Sequence, residues 1–425
     1  MNHQKEPLLK STEQRSQVEP NGNLLPDINS STAQGSGGQK TDSHINSFPV
    51  RNGQALRVLF AVDSRFPGLG GAETQALKLA VALREQGVYV EFVTPLVNIS
   101  QPLQETYHDF VIRRIDYPHV RWLGSLIVMQ RFARYLKDNE HRFDAIHVHI
   151  THLMAAAAGF ARARIAIPVI TKVSGFYEFE GGVLDPAARF KPLNILIRQG
   201  LKKVDFVQTI SFQTREKLLR AGFSDTQIQF VPNGIDARQL PVETPSSDAI
   251  RIGYCGRLRE VKGVHVLLDA FAALKADYPE KSLKLVIAGS GETQTALVEQ
   301  AETLGIDADI EWLGLIHETS SFFHSIHIYV QPSFAEGLPN SVMEAMVARR
   351  PVVATDIGGN SDLVQEGVSG LLFETGNAIA LAGQLARLLD EPELSRRLAG
   401  KGRQLIVERY GIDLVTRKLA ALYLA

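Results

Sequence analysis

The chain has 425 residues, 44% hydrophobic and 21% charged with 34 Gly, which at ~100–200 residues per domain predicts two or three globular domains. Lys plus Arg (45) against Asp plus Glu (46) nets −1, so no overall positive field exists to hold nucleic acid. The single cysteine, Cys255, excludes a disulfide framework, no Cys/His set has zinc-finger spacing, and a reducing cytoplasm is the expected compartment.

Residues 1–52 carry apolar side chains at about half the chain's average frequency, among Gln, Ser, Asn and Gly. Such a stretch buries too little surface to offset its chain entropy, which predicts a disordered tail. It holds no apolar run of export-signal length, and no later run is long enough to span a membrane.

From Leu56 the pattern becomes strand, glycine loop, helix, repeated. Leu56–Asp63 is an apolar run suited to a strand buried on both faces. A glycine loop (Pro67 to Gly71) follows, then a helix with Ala76, Leu77, Ala80 and Leu83 at helical spacing, ended by Gly87. Further strands are predicted at Val88–Thr94, Phe143–Ile150, Val169–Val173 and Asp205–Ser211. The pattern restarts with strands at Ile250–Cys255, Leu283–Ala288, Ile310–Leu313, Ile326–Gln331 and Pro351–Thr355, and a helix at Val264–Leu274. This predicts an α/β chain of two tandem, doubly wound Rossmann-like domains facing a cleft, over 53–238 and 239–404. The turn-rich Val231–Asp236 joins them, with Leu240–Ser247 as linker.

Four segments carry candidate chemistry. Gly256-Arg257-Leu258-Arg259-Glu260-Val261-Lys262-Gly263 follows a strand end and opens a helix, which suits an anion. There Arg257 can clamp phosphate oxygens bidentately and Lys262 can act as a point charge. Glu336 and Glu344 stand eight residues apart after another strand. Along one continuous helix they would span ~12 Å, beyond the ~5–9.5 Å of a glycosidase pair. Glu336 in a loop and Glu344 one turn inside a helix, capped by Ser341, would instead contact different parts of one hydroxyl-rich ligand. Gly70-Gly71-Ala72-Glu73 lets backbone approach a ligand closely. His147 and His149 share a face at a strand end, which predicts a hydrogen-bonded pair near the cleft.

Together these segments, with VPNGID at 231–236 and Gly358-Gly359, resemble the family 4 retaining glycosyltransferases of the GT-B fold over roughly residues 56–425. The resemblance implies hexosyl or N-acetylhexosaminyl transfer from a nucleotide-diphosphate sugar, with no metal and no other cofactor. By it Arg257 and Lys262 neutralise the diphosphate, Glu344 holds the ribose, and Glu336 contacts the donor sugar. Gly71, Gly256, Gly337, Leu338 and Asn340 place sugar and phosphates, and Leu315 and Ile316 lie beside the base. The C-terminal helix, 405–425, is expected to cross back onto the first domain. Ser174 stands where many relatives have histidine, so either Ser174 positions the sugar or His149 takes that place. The implied acceptor is a glycan or a lipid-linked glycan of polysaccharide or cell-envelope synthesis. The basic, amphipathic Arg189–Lys203 reads in two ways, as an ordinary helix with Leu193, Leu196, Ile197 and Leu201 in the core or as a peripheral contact with the inner face of the membrane. Two rivals remain at this point: a sugar-nucleotide epimerase and a catalytically silent sugar-nucleotide-binding protein.

Overall fold

The computed structural model describes residues 51, 53–68, 70–120, 123–240, 245 and 248–425. The predicted tail over 1–52 and linker over 240–247 therefore fall almost wholly outside the described residues.

The first sheet is built around β1 (Arg57–Val62), which pairs in parallel with β2 (Tyr89–Pro95) on one side and β5 (Ala145–His149) on the other. Val58, Phe60 and Val62 enter one apolar cluster, while Leu59 and Ala61 enter the opposite one. That alternation is why the strand reads as an unbroken apolar run. The sheet continues with β3 (Gln104–Tyr107), β4 (Phe110–Ile115), β6 (Val169–Val173), β7 (Phe206–Thr209) and β8 (Ile228–Phe230). Its order is β3-β4-β2-β1-β5-β6-β7-β8.

The parallel rule breaks at one edge, where β3 runs antiparallel to β4. His108 and Asp109 make the hairpin turn at φ 49 and 65° without a glycine, which left no turn signature to read. The mostly exposed β3 could not announce itself by apolar alternation either.

The second sheet comprises β9 (Ile250–Cys255), β10 (Leu283–Ala288), β11 (Ile310–Gly314), β12 (Ile328–Gln331), β13 (Val352–Thr355) and β14 (Leu371–Phe373). It is parallel throughout, in the order β11-β10-β9-β12-β13-β14. Each sheet reverses its winding once, between β1 and β5 and between β9 and β12. At such a switch point the loops after the two central strands splay apart, which opens a crevice at their carboxyl ends.

Helix α1 (Gly71–Glu85) covers the first sheet with Ala76, Leu79, Ala80 and Leu83 buried. Between it and the second domain come α2 (Leu123–Asn139), α3 (Leu153–Ala161), α4 (Phe176–Phe179), α5 (Pro192–Leu201) and α6 (Phe212–Arg220). The second domain carries α7 (Val264–Asp277), α8 (Gln294–Thr303), α9 (Ser320–Ser325), α10 (Asn340–Val347), α11 (Gly358–Ser361) and α12 (Ala378–Asp390).

The chain then returns. Helix α13 (Pro392–Tyr410) still packs on the second domain through Leu398 and Ile406. The break falls at Gly411, later than position 405, because backbone bonds from Ile235 N to Tyr410 O and from Ile412 N to Ile235 O tie the crossing to the inter-domain turn. Beyond it α14 (Ile412–Tyr423) buries Ile412, Val415, Leu419 and Tyr423 in the first domain's core, as the resemblance implies. At ~1.5–3 kcal/mol per fully buried apolar side chain, this helix fastens the two lobes.

Candidate functional site

The second sheet's switch point explains which residues meet. Leaving β9, the chain turns through Gly256 and Arg257 into a single helical turn, Glu260–Lys262, and then into α7. Gly263 adopts φ +66°, and a Cβ there would lie 2.0 Å from the Pro332 carbonyl oxygen. Only glycine lets the Lys262 turn lie this close to the exit of β12. Phe334 N donates to Val261 O at 2.8 Å, stitching the two loops together.

That stitching sets Lys262 against Glu336. Lys262 Nζ, Gln331 Nε2 and Ser333 Oγ all donate to Glu336 Oε1, at 2.7, 2.8 and 2.7 Å. The Glu336 side chain is 9% exposed and that of Lys262 19%. Arg257 differs. Its carbonyl accepts from the buried Tyr254 hydroxyl at 3.0 Å, while its exposed guanidinium lines the cleft with no partner among the described residues. A fixed backbone carrying a free fork of donors is an arm available to an anion.

Helix α10 begins after Pro339, so Ser341 is not its cap: Ser341 Oγ donates to Gln331 Oε1 at 3.1 Å. The helix start carries no side-chain cap, and its first residue, Asn340, reaches across the cleft instead. Its Oδ1 accepts from Gln75 Nε2 at 3.1 Å and from Asn233 Nδ2 at 2.9 Å. One turn further in, Glu344 accepts from Lys78 Nζ at 2.7 Å and from Thr319 Oγ1 at 3.2 Å. Gly71 opens α1 directly opposite, where a Cβ would lie 3.6 Å from Asn340 Nδ2.

The first domain closes the other wall. Gly175, at φ +133°, comes so near Gly337 that a Cβ would lie 2.8 Å from its Cα. Ser174 N donates to Glu178 at 2.7 Å, while Ser174 Oγ is buried without a partner. Lys172, on the same strand face as Ser174, is 4% exposed and lines the cleft. Burial pushes its ammonium down to about 8, opposed by the nearby Glu178 carboxylate. Burial likewise raises the Glu178 carboxyl above its ordinary value, against the backbone N–H groups of Ser174, Glu178 and Gly175. These walls enclose about 1040 Å³, roughly the upper end of the ~300–1,000 Å³ of small-molecule pockets.

Gly71, Gly256, Ser174, Arg257, Lys262, Leu315, Glu336, Gly337, Leu338, Asn340 and Glu344 all line this one cleft. Leu338 is 6% exposed and belongs to the core, whereas Leu315 is 53% exposed. His149 is absent from the lining. His147 and His149 are fully buried, their rings stacked at 4.3 Å and packed against Phe60. The expected hydrogen-bonded pair at the cleft is corrected: this sheet face is roofed by α1 and α14, not by solvent. His147 Nδ1 pairs with the Tyr423 hydroxyl at 2.8 Å, and neither His149 ring nitrogen has a partner. Burial pushes His147 down to about 3 and His149 well below its ordinary value.

Sequence reasoning did not identify Lys78, Lys172, Asn233, Thr319 or Gln331 as site residues. Lys172 was readable in principle, as a lone charge within an apolar parallel strand. Among the described residues no three His, Cys, Asp or Glu side chains converge as a metal site.

Known proteins give this geometry a family. The model of the glycosyl transferase 4-like domain matches residues 70–234, and that of the glycosyl transferases group 1 matches residues 237–405. N-acetyl-alpha-D-glucosaminyl L-malate synthase of Bacillus anthracis is 24% identical over 377 residues, covering 84% of this chain and 94% of that protein. The capsular polysaccharide biosynthesis glycosyltransferase CapM of Staphylococcus aureus is 25% identical over 256 residues, 59% of this chain and 66% of CapM. Among solved structures, Anabaena Alr3699/HepE in complex with UDP and glucose superposes with TM-score 0.70 at 19% identity, covering 86% of this chain and 98% of that one. Matched in both lobes by these models, and folded as two α/β domains around one cleft, the chain belongs to the group 1 glycosyltransferases of GT-B fold, enzymes that transfer sugars.

Proposed function

We propose that the protein transfers a sugar, with retained configuration and without a metal ion, from a nucleoside diphosphate sugar to a glycan or lipid-linked glycan. The observation that carries this reading is the convergence of Arg257 and Lys262 on the cleft where Glu336 and Glu344 also meet. Cleaving the bond between sugar and diphosphate leaves an oxocarbenium-like carbon and about two negative charges on the departing group. Preorganised cations aimed at that charge are worth several kcal/mol, and a leaving group already so acidic gains little from a general acid. Arg257 brings a bidentate fork and Lys262 a compact charge, the task a divalent ion performs elsewhere.

Glu336 is poorly suited to nucleophilic attack, because three donors crowd one of its oxygens. Its chemistry is to hold Lys262 in place and accept from a donor-sugar hydroxyl. Retention then follows from attack by the acceptor on the face the diphosphate leaves. The diphosphate oxygen can take the acceptor's proton.

Relatives named for capsular polysaccharide and L-malate glycosylation support a role in polysaccharide or envelope glycan synthesis. A peripheral site on the inner face of the membrane fits the surface around α5. Phe190 is 74% exposed beneath the Arg189 guanidinium, and Ile195 is 42% exposed, while Ile197 and Leu201 hold the helix to the core. Among the described residues no helix is long and apolar enough to cross a membrane.

A thermal-shift screen of UDP, GDP and ADP and their sugars, repeated with EDTA, tests the reading. One nucleotide series should raise the melting temperature, with or without chelator. Stabilisation by none, or only by a metal complex, would overturn it.

A further inference from the structure

Glu344, the carboxylate assigned to the ribose, already has a cation, and that cation comes from the other domain. Lys78 Nζ lies 2.7 Å from Glu344 Oε1, with the Glu344 side chain 9% exposed and that of Lys78 33%. Lys78 and Gln75 stand three residues apart on one face of α1, and Asn340 and Glu344 four apart on one face of α10. The two helices thus meet in two rungs, Gln75 to Asn340 and Lys78 to Glu344.

We infer that Lys78 is a positioning residue for donor binding, holding Glu344 turned so that each carboxylate oxygen keeps one lone pair for the ribose. The inference rests on the proposed reading of the cleft as a nucleotide-sugar site.

A carboxylate has about four acceptor positions, two on each oxygen. Lys78 takes one on Oε1 and Thr319 takes one on Oε2. One remains on each, the number needed to receive two neighbouring hydroxyls of one ribose. A cation fixed beside one carboxylate oxygen sets which way the whole group faces. Lys262 does not supply that cation, since its ion pair is with Glu336. Because Lys78 sits on α1, whose first residue Gly71 faces the same α10 helix start, lobe approach and ribose recognition share one contact.

The test compares ligands with and without ribose hydroxyls. Calorimetry would measure binding of the nucleoside diphosphate that stabilises the wild type best, of its 2′,3′-dideoxy analogue, and of inorganic pyrophosphate. Lys78→Met should weaken the nucleoside diphosphate about tenfold, the value of one charge-assisted hydrogen bond. The dideoxy analogue and pyrophosphate should bind both proteins alike, and Lys78→Arg should restore most of the loss. Equal losses for all three ligands would make Lys78 a plain inter-domain clasp and overturn the inference, as would no loss for any. A wild type that binds no nucleoside diphosphate overturns the parent reading before any variant is made.

Discussion

Lys262→Ala separates the structural from the catalytic use of one ion pair. Lys262 and Glu336 lie 2.7 Å apart, which at an effective dielectric of ~20 is worth about 6 kcal/mol of gross attraction. Most of that is returned as desolvation, and Gln331 and Ser333 continue to serve the same Glu336 oxygen, so the net loss should be about 2 kcal/mol. For a domain of this size the melting temperature should fall by about 4–8 °C. Turnover should fall further, by at least ~100-fold, because the charge developing on the leaving diphosphate loses a preorganised partner. Glu336→Gln in the same protein removes the unpaired carboxylate, so it should recover much of the melting temperature and none of the turnover. Melting curves and initial rates of nucleoside diphosphate release measure both. Turnover within tenfold of wild type, in a variant whose melting temperature has dropped, would reduce Lys262 to a structural residue and refute the reasoning.

Other parts of the molecule give further expectations. His147 and His149 are held neutral by burial, so below pH ~6.5 the unfolded chain binds protons that the folded one refuses. Stability is therefore whole at neutral pH and lost as the pH falls from ~6.5 towards 3, by up to ~1.4 kcal/mol per pH unit for each ring. His149→Leu should remove one proton's share of that slope in melts between pH 7 and 5, and an unchanged slope would contradict it. Gly175→Ala forces a Cβ toward Gly337 Cα at a φ of +133°, so donor binding should weaken in calorimetry, whereas undiminished affinity would show the two loops need not approach. Vesicles rich in phosphatidylglycerol should retain the protein at low salt and release it at high salt, and Phe190→Ala should weaken retention in a sedimentation assay. Retention equal to that on neutral vesicles would remove the membrane contact.

The parallel core strands were legible because burial on both faces leaves a continuous apolar run, as Leu59 and Phe60 feeding opposite clusters illustrate. The cleft's second-domain wall was legible for a related reason: β9 and β12 are followed by glycine, cations and carboxylates at the point where ligands of open sheets bind. Exposed or short elements were not. The β3 edge strand lacks alternation, and its turn is made by His108 and Asp109. Long-range polar partners left no local trace either. Lys78 meets Glu344 across the domain gap, and nothing near position 78 announces the encounter. The spacing of His147 and His149 puts them on one face, as their stacked rings show, but spacing cannot say that α14 roofs that face. Ser341 resembles a helix cap by type and position, yet it lies inside α10 and its hydroxyl donates to the buried Gln331, a long-range partner that local sequence does not reveal.

Where a diphosphate sits in the cleft decides whether Arg257 and Lys262 serve the leaving group. A crystal structure of the full chain grown with the stabilising nucleoside diphosphate and EDTA should show phosphate oxygens within hydrogen-bond reach of both Arg257 and Lys262, with the ribose on Glu344. A diphosphate bound elsewhere, or held in this cleft with both cations turned to solvent, would contradict it.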